Sequence, residues 1–204
     1  MNTSMKSALR RLEHEAAVWR QEPMKRVAVR NRLLRPLRVR QFGAFGEHAT
    51  VDRPIWLYGA QKMAIGDRAI ILRGTWLAVE RVAWDNPGFV LSIGNDFSMR
   101  VGGTISASSS VTIEDDVSCG AYVSIVDSAH TWSAGNPNPL HNPSQSSPIR
   151  IGAGTWLADR ATVAAGAEIG LQCLLAANCV VSGKVADYSI VVGNPGRVVG
   201  STRT

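Results

Sequence analysis

An aliphatic residue recurs at every sixth position in the C-terminal half of the chain. The series comprises Ile151, Leu157, Val163, Ile169, Leu175 and Val181. A period of six matches neither an α-helix, with about 3.6 residues per turn, nor a strand, with a repeat of about two. It is typical of a solenoid in which each hexapeptide forms a short strand and a turn, and three hexapeptides close one triangular coil.

The same spacing continues through most of the chain towards the N-terminus. The further positions are Phe45, Val51, Leu57, Ile65, Ile71, Leu77, Ile93, Met99, Ile105, Ile113, Cys119 and Ile125. Together they give eighteen hexapeptides, or six coils, over residues 45–186. Because one hexapeptide cannot bury its own apolar side, stacked neighbours must supply the core. The pattern therefore predicts an all-β fold, a parallel β-helix of about six coils.

Breaks in the spacing predict where segments leave the coils. The largest break lies between Ile125 and Ile151, where about twenty residues rich in Asn, Pro and Ser are inserted. We predict an extruded loop at 131–148 without regular structure. A long loop on a regular scaffold is usually functional.

The positive charge of the chain is concentrated near its start. Residues 1–50 hold eleven Lys/Arg and four Asp/Glu, whereas residues 51–204 hold eleven and twelve. We predict a basic arm at 1–40, with an apolar helical stripe over 5–19 and a second basic stretch that Pro36 interrupts. Three uses of the arm stay open: packing on the solenoid, which we favour, pairing between subunits, and contact with anionic lipid. Nucleic acid is not expected, because no recognisable binding motif accompanies the charge.

The expected location is the cytoplasm, with peripheral contact at the inner membrane face through the basic arm. No apolar run approaches the length of a membrane span, and no secretory signal follows the N-terminus. Cys119, Cys173 and Cys179 fall on positions predicted to be buried, and none has metal-type spacing. Three buried thiols fit a reducing compartment.

His130 is the only histidine at a junction between the predicted coils and an insertion. Imidazole is the usual general base near neutral pH, and Asp127 could orient the ring. In an extended segment, however, residues three apart point to opposite sides. The carboxylate that orients the ring of His130 could therefore instead belong to Glu114, Asp115 or Asp116. A plain surface histidine is the other interpretation. No metal is predicted, because a zinc site of imidazoles needs three that converge.

Three stretches resemble one family. They are the period-six pattern, the Asp-x-x-His before a Pro-rich loop, and the ending 188–199 with its Gly-Asn-Pro-Gly-Arg. Over residues 41–200 they are similar to the hexapeptide-repeat acyltransferases, above all the sugar O-acetyltransferases of the galactoside/maltose type and of surface-polysaccharide pathways.

The resemblance implies a left-handed β-helix that forms homotrimers, with active sites between subunits and acetyl-CoA along a groove between solenoids. It implies His130 as the catalytic residue. The residues that it implies for coenzyme A are Trp156, Ala158, Ala176, Ala177, Ser182, Lys184 and Arg197. For the acceptor we expect Arg100, which lies in a stretch that departs from the galactoside/maltose group, and Trp132, which could stack on a sugar or cover an adjacent subunit.

The activity that we expect is acetyl-CoA-dependent O-acetylation of a sugar hydroxyl in surface-polysaccharide or lipopolysaccharide biosynthesis. The acceptor is a small or lipid-linked sugar. The alternatives are N-acetylation of a nucleotide-linked amino sugar and a non-catalytic trimeric scaffold.

Overall fold

The computed structural model describes residues 23–132 and 138–203. The chain divides into two units, 1–37 and 38–204. Helix α1 (Pro23–Gln41) begins in the first unit and contains Pro36 within its length. The prediction that Pro36 interrupts this stretch is wrong: its φ suits a helix, and its missing N–H leaves one carbonyl without a helical donor. The predicted helix over 5–19 lies outside the described residues.

The second unit consists of short strands. Their bounds are β1 Ala44–Phe45, β2 Thr50–Val51, β3 Trp56–Tyr58, β4 Met63–Ile65, β5 Ile70–Ile71, β6 Trp76–Val79, β7 Leu91–Ile93, β8 Ser98–Met99, β9 Thr104–Ala107, β10 Val111–Ile113, β11 Ser118–Cys119, β12 Ser124–Val126, β13 Ser128–His130, β14 Ser144–Ser146, β15 Ile149–Ile151, β16 Trp156–Leu157, β17 Thr162–Ala164, β18 Glu168–Ile169, β19 Leu174–Leu175, β20 Val180–Val181, β21 Lys184–Val185, β22 Ser189–Val192 and β23 Arg197–Ser201. Three 3-10 turns, Ala60–Lys62, Arg81–Ala83 and Pro139–His141, lie in the connections.

The strands form three sheets that run the length of the solenoid. Sheet A has the order β1-β4-β7-β10-β15-β18-β21, sheet B has β2-β5-β8-β11-β16-β19-β22-β23, and sheet C has β20-β17-β12-β9-β6-β3. Pairing is parallel throughout, apart from β23, which returns antiparallel to β22. Each coil contributes one strand to each sheet, so the strands make six full coils and begin a seventh.

The hexapeptide register is confirmed residue by residue. In sheet A, for example, Ile93 pairs with Ile113, which pairs with Ile151, which pairs with Ile169. These aliphatic side chains are buried and form one continuous core. Strand β22 extends the repeat beyond residue 186, where the sequence predicted that it ends.

The three cysteines lie in this core, as predicted. Burial raises the pKa of the Cys119, Cys173 and Cys179 thiols above the usual value. The thiols are therefore protonated and act as small apolar side chains.

Side-chain oxygens tie successive coils together at the turn between sheets A and B. Asp67 Oδ1 accepts the N–H of Glu47 at 2.7 Å, and Asn95 Oδ1 accepts the N–H of Asp67 at 2.8 Å. Asp115 Oδ1 continues the series by accepting the N–H of Asn95 at 2.7 Å. Each bond satisfies a backbone donor that the turn would otherwise leave without a partner.

Gly94 lies at this turn, where the next coil leaves no room for a side chain. A Cβ at Gly94 would stand 2.6 Å from the backbone N of Asp115 and from the carbonyl carbon of Glu114. We expect Gly94→Ala to lower the free energy of unfolding by about 1–3 kcal/mol, because backbone must shift to relieve the overlap. Urea unfolding followed by circular dichroism measures this change.

Gly183→Ala is the matched control, since a Cβ there meets no atom within 4 Å. Its unfolding midpoint should equal that of the unaltered chain. Equal midpoints for the two variants would contradict the close packing of coils at Gly94.

The long insertion is more ordered than predicted. Its described part contains an antiparallel pair, β13 and β14. In this pair Ser128 lies opposite Ser146, Ala129 opposite Gln145, and His130 opposite Ser144. The sequence signal was hidden because Pro143 and Pro148 flank β14 and suggest a loop, although Pro is compatible with the ends of an edge strand.

No helix among the described residues is long and apolar enough to cross a membrane.

Candidate active site

His130 lies at the turn between sheets C and A of the fourth coil. Strand β12 of sheet C ends at Val126, and the chain continues into β13, which ends at His130. The side chain is exposed. The insertion therefore carries the histidine out of the core and presents it to solvent.

The hydrogen bond of the ring defines its tautomer. His130 Nδ1 lies 3.1 Å from the carbonyl oxygen of Asn142. A carbonyl oxygen only accepts, so Nδ1 carries the hydrogen in this contact. In the neutral ring the lone pair is then on Nε2, where a general base needs it.

A set of hydrogen bonds across the hairpin holds that carbonyl in position. Asn142 Nδ2 donates to the carbonyl oxygen of Thr131 at 2.8 Å. Both the backbone N and Oγ1 of Thr131 donate to the carbonyl oxygen of Pro143 at 3.0 Å. The sequence did not predict that Asn142 orients His130, because an Asn beside Pro in a polar loop indicates only a turn.

Asp127, predicted as the residue that orients the ring, has a different role. Its side chain is fully buried and accepts four hydrogen bonds. Ser108 N donates to Oδ1 at 2.7 Å, and Ser109 N, Ser109 Oγ and Ser110 N donate to Oδ2 at 2.7, 2.9 and 3.0 Å. The carboxylate thus faces the turn of the third coil, while the imidazole faces Asn142. The prediction was wrong because it rested on sequence proximity. In an extended segment, side chains three residues apart point in opposite directions, as those of Asp127 and His130 do here.

The alternative acids are also engaged elsewhere. Glu114 forms an ion pair with Arg150 and accepts the N–H of Ala153 at 3.0 Å. Asp115 bonds to Asn95, and Asp116 stands beside it in the same connection. All three acids lie at the turn between sheets A and B, which is a different edge of the solenoid. A backbone carbonyl therefore orients His130, and the described residues contribute no carboxylate to this task.

A cleft of about 420 Å³ opens beside the imidazole. Its lining consists of Ala129, His130, Thr131, Trp132, Gln145, Ser147 and Ala165. Trp132 is 83 % exposed, so its ring is available to a ligand or to another chain. The polar groups of Gln145 and Ser147 and the apolar ring of Trp132 are the mixture that a sugar-sized polar ligand requires. Gln145 and Ser147 are lining residues that the sequence did not predict.

The residues predicted to contact coenzyme A lie on several sides of the solenoid. Trp156 is on sheet B, and Ala158, Ala176 and Ala177 are at the turns between sheets B and C. Lys184 pairs with Glu168 at 2.9 Å on sheet A, and Arg197 is on β23.

Only Ser182, at the sixth coil, lies at the same turn between sheets C and A as His130. Arg100, predicted for the acceptor, follows β8 at the turn between sheets B and C. One chain therefore does not bring these residues together in the cleft.

The described residues hold no group of three His, Cys, Asp or Glu side chains that could bind a metal ion. His48 lies in the connection after β1, and His141 lies in the hairpin loop beside Asn138. Neither is in the cleft lining.

Two curated proteins are similar to parts of this chain. The probable acetyltransferase Rv3034c of Mycobacterium tuberculosis is 47% identical over 53 residues, which cover 26% of this chain and 18% of that protein. The putative lipopolysaccharide biosynthesis O-acetyl transferase WbbJ of Escherichia coli is 30% identical over 103 residues, which cover 47% of this chain and 52% of that protein. The chain thus spans about half of the length of these relatives or less. No family model matches the chain.

Solved structures show the same fold. A variant of AntD, an N-acyltransferase from Bacillus cereus in complex with dTDP and coenzyme A, has a TM-score of 0.67 at 14% identity, covering 82% of this chain and 88% of that one. The hexapeptide-repeat acetyltransferase VCA0836 from Vibrio cholerae, in complex with acetyl-CoA, has a TM-score of 0.55 at 22% identity, covering 83% and 76%. The fold is the left-handed β-helix of these transferases, and the predicted resemblance to the hexapeptide-repeat acyltransferases is confirmed.

Proposed function

We propose that residues 41–200 are an acetyl-CoA-dependent O-acetyltransferase domain that modifies a sugar hydroxyl, with His130 as the general base. The observation that carries the proposal is the hydrogen bond from His130 Nδ1 to the carbonyl of Asn142. It leaves Nε2 as a proton acceptor in an open cleft.

The reaction follows from the position of that nitrogen. Nε2 of His130 takes the proton of the acceptor hydroxyl as its oxygen attacks the thioester carbonyl carbon. The tetrahedral intermediate collapses, the C–S bond breaks, and the imidazolium returns the proton to the departing thiolate. Acceptor and donor react directly, so holding both in the cleft contributes much of the rate.

The distribution of the donor residues supports a site completed by a second subunit. His130 and Ser182 lie at one edge of the solenoid, whereas Trp156, Ala158 and Ala176 lie on another side. In a homotrimer, one edge of each chain meets a different side of its neighbour, because such an interface is heterologous. Acetyl-CoA would then lie between His130 of one chain and the sheet B side of the next.

The acceptor class rests on similarity and on the cleft lining. The partial match to WbbJ, a putative lipopolysaccharide O-acetyl transferase, favours a hydroxyl of a surface-polysaccharide precursor. Gln145, Ser147 and Trp132 supply amide, hydroxyl and aromatic contacts of the kind that sugars use. The location that we propose is the cytoplasm, with peripheral contact at the inner membrane face.

The first test is release of the coenzyme A thiol from acetyl-CoA with a panel of sugars, nucleotide-linked amino sugars and glycolipids. We expect acceptor-dependent release with a hydroxyl acceptor and a product that hydroxylamine cleaves, because it is an ester. A hydroxylamine-resistant product formed only with amino sugars would replace this proposal by N-acetylation. No turnover, with no binding of acetyl-CoA in calorimetry, would contradict any transferase and favour a scaffold.

A further inference from the structure

Helix α1 carries charge of one sign only. Its nineteen residues contain seven Lys or Arg and no Asp or Glu. They are Lys25, Arg26, Arg30, Arg32, Arg35, Arg38 and Arg40. The excess is local, since residues 51–204 have a balance of −1. A helix of this kind creates a strong positive potential that attracts anionic surfaces.

The same helix exposes an apolar stripe. Val29, Leu33 and Leu37 are spaced by four residues and so lie along one side of the helix. Their side chains are 44 %, 75 % and 62 % exposed. Val27 and Leu34, on the other side, are half-buried. The stripe is therefore the side of α1 that is open to a partner.

Basic residues border the stripe. Arg32 follows Val29 by three positions, and Arg40 follows Leu37 by three, so each lies on the neighbouring turn. Both side chains are exposed. The exposed side thus combines three aliphatic side chains with two guanidinium groups at its border, which suits the boundary between acyl chains and anionic head groups.

We propose that this side of α1 binds the surface of a lipid bilayer that contains anionic lipid. Val29, Leu33 and Leu37 enter the boundary between head groups and acyl chains, and the flanking guanidinium groups pair with lipid phosphates. The arginine stems extend the apolar contact while their charged ends stay at the phosphates.

The charge pattern argues against the other occupants. A second copy of α1 would bring Arg32 and Arg40 of one helix close to those of the other, and residues 23–41 contain no Asp or Glu that could offset this repulsion. Nucleic acid would use the arginines, but it offers nothing to three exposed aliphatic side chains. An anionic bilayer meets both features at once. The inference is independent of the proposed acetyl transfer.

The test is co-sedimentation of the full chain with vesicles of phosphatidylglycerol and phosphatidylcholine, with pure phosphatidylcholine as the reference. We expect binding to the anionic vesicles that weakens as salt is raised. The double variant Leu33→Glu/Leu37→Glu should lose about a hundredfold or more in partition coefficient, because it removes apolar burial and adds repulsion. Arg32→Gln/Arg40→Gln should lose about 25-fold, at about fivefold per cation.

Val82→Glu is the matched control, since Val82 is 75 % exposed but belongs to the turn Arg81–Ala83 of the solenoid. It should bind vesicles like the unaltered chain, and all variants should keep the same melting temperature. Equal binding of the double variant and Val82→Glu would overturn the proposal, as would equal binding to pure phosphatidylcholine. Absence of vesicle binding, with a smaller sedimenting mass for Leu33→Glu/Leu37→Glu, would overturn it in favour of pairing between copies.

Discussion

Asp127→Ala is expected to lower the free energy of unfolding by about 3 kcal/mol or more. The carboxylate is fully buried and accepts four hydrogen bonds from residues 108–110. Its removal leaves three backbone N–H groups of the third coil without their acceptor, and each such loss costs about 1–3 kcal/mol unless water enters. Urea unfolding followed by tryptophan fluorescence measures the change.

Two further variants make this result specific. Asp127→Asn should lower the free energy of unfolding by an intermediate amount. Its amide oxygen replaces one carboxylate oxygen as an acceptor, but its NH₂ group stands where the other oxygen accepted hydrogen bonds and cannot accept them. Asp159→Ala removes a similar carboxylate at an exposed turn, where Oδ1 accepts only Ala121 N at 2.8 Å. It should cost less than about 1 kcal/mol. Equal stability of the Asp127→Ala and Asp159→Ala variants would contradict the structural role of Asp127.

The same variants separate support of the fold from catalysis. If Asp127 oriented the imidazole, Asp127→Asn would reduce the turnover of fully folded protein. We expect the turnover per folded molecule to change little, because a backbone carbonyl orients the ring.

The solenoid could be predicted almost residue by residue, because its core repeats in the sequence. Apart from Phe45 at the first coil, each inward position is aliphatic or a buried sulfur residue, and it pairs with the equivalent position of the next coil. The long insertion was located by counting residues between Ile125 and Ile151. Because the period of six persists on both sides of the insertions, it predicts the register of the strands as well as their positions.

The details of the site could not be predicted, because they depend on backbone atoms and on contacts across the hairpin. The acceptor for His130 Nδ1 is the main-chain oxygen of Asn142, and no side-chain identity encodes it. Asp127 has the expected residue type at the expected spacing, but its direction is set by the turn at 108–110. Sequence proximity therefore predicted contact between Asp127 and His130, whereas their side chains point in different directions.

His130→Asn is expected to reduce acetyl transfer by about 10²–10⁴-fold, the usual contribution of a general base. Asparagine is the informative replacement, because its amide can still donate to the carbonyl of Asn142 as Nδ1 does. It has no basic nitrogen at the position of Nε2. The hairpin should therefore keep its conformation, while the proton acceptor is lost.

His48→Asn is the matched control for this variant. His48 is exposed in the connection after β1, and its φ of 59° is a conformation that asparagine tolerates. It should transfer acetyl groups at the rate of the unaltered chain. It should also bind acetyl-CoA with unchanged affinity, because His48 is not among the residues that line the cleft.

The most direct measurement is the initial rate of acceptor-dependent thiol release from acetyl-CoA by the unaltered chain, His130→Asn and His48→Asn in parallel. We predict full activity in the unaltered chain and in His48→Asn, and a rate in His130→Asn that is lower by at least about a hundredfold. Thiol release by folded His130→Asn within a few-fold of the unaltered rate would contradict general-base catalysis by His130.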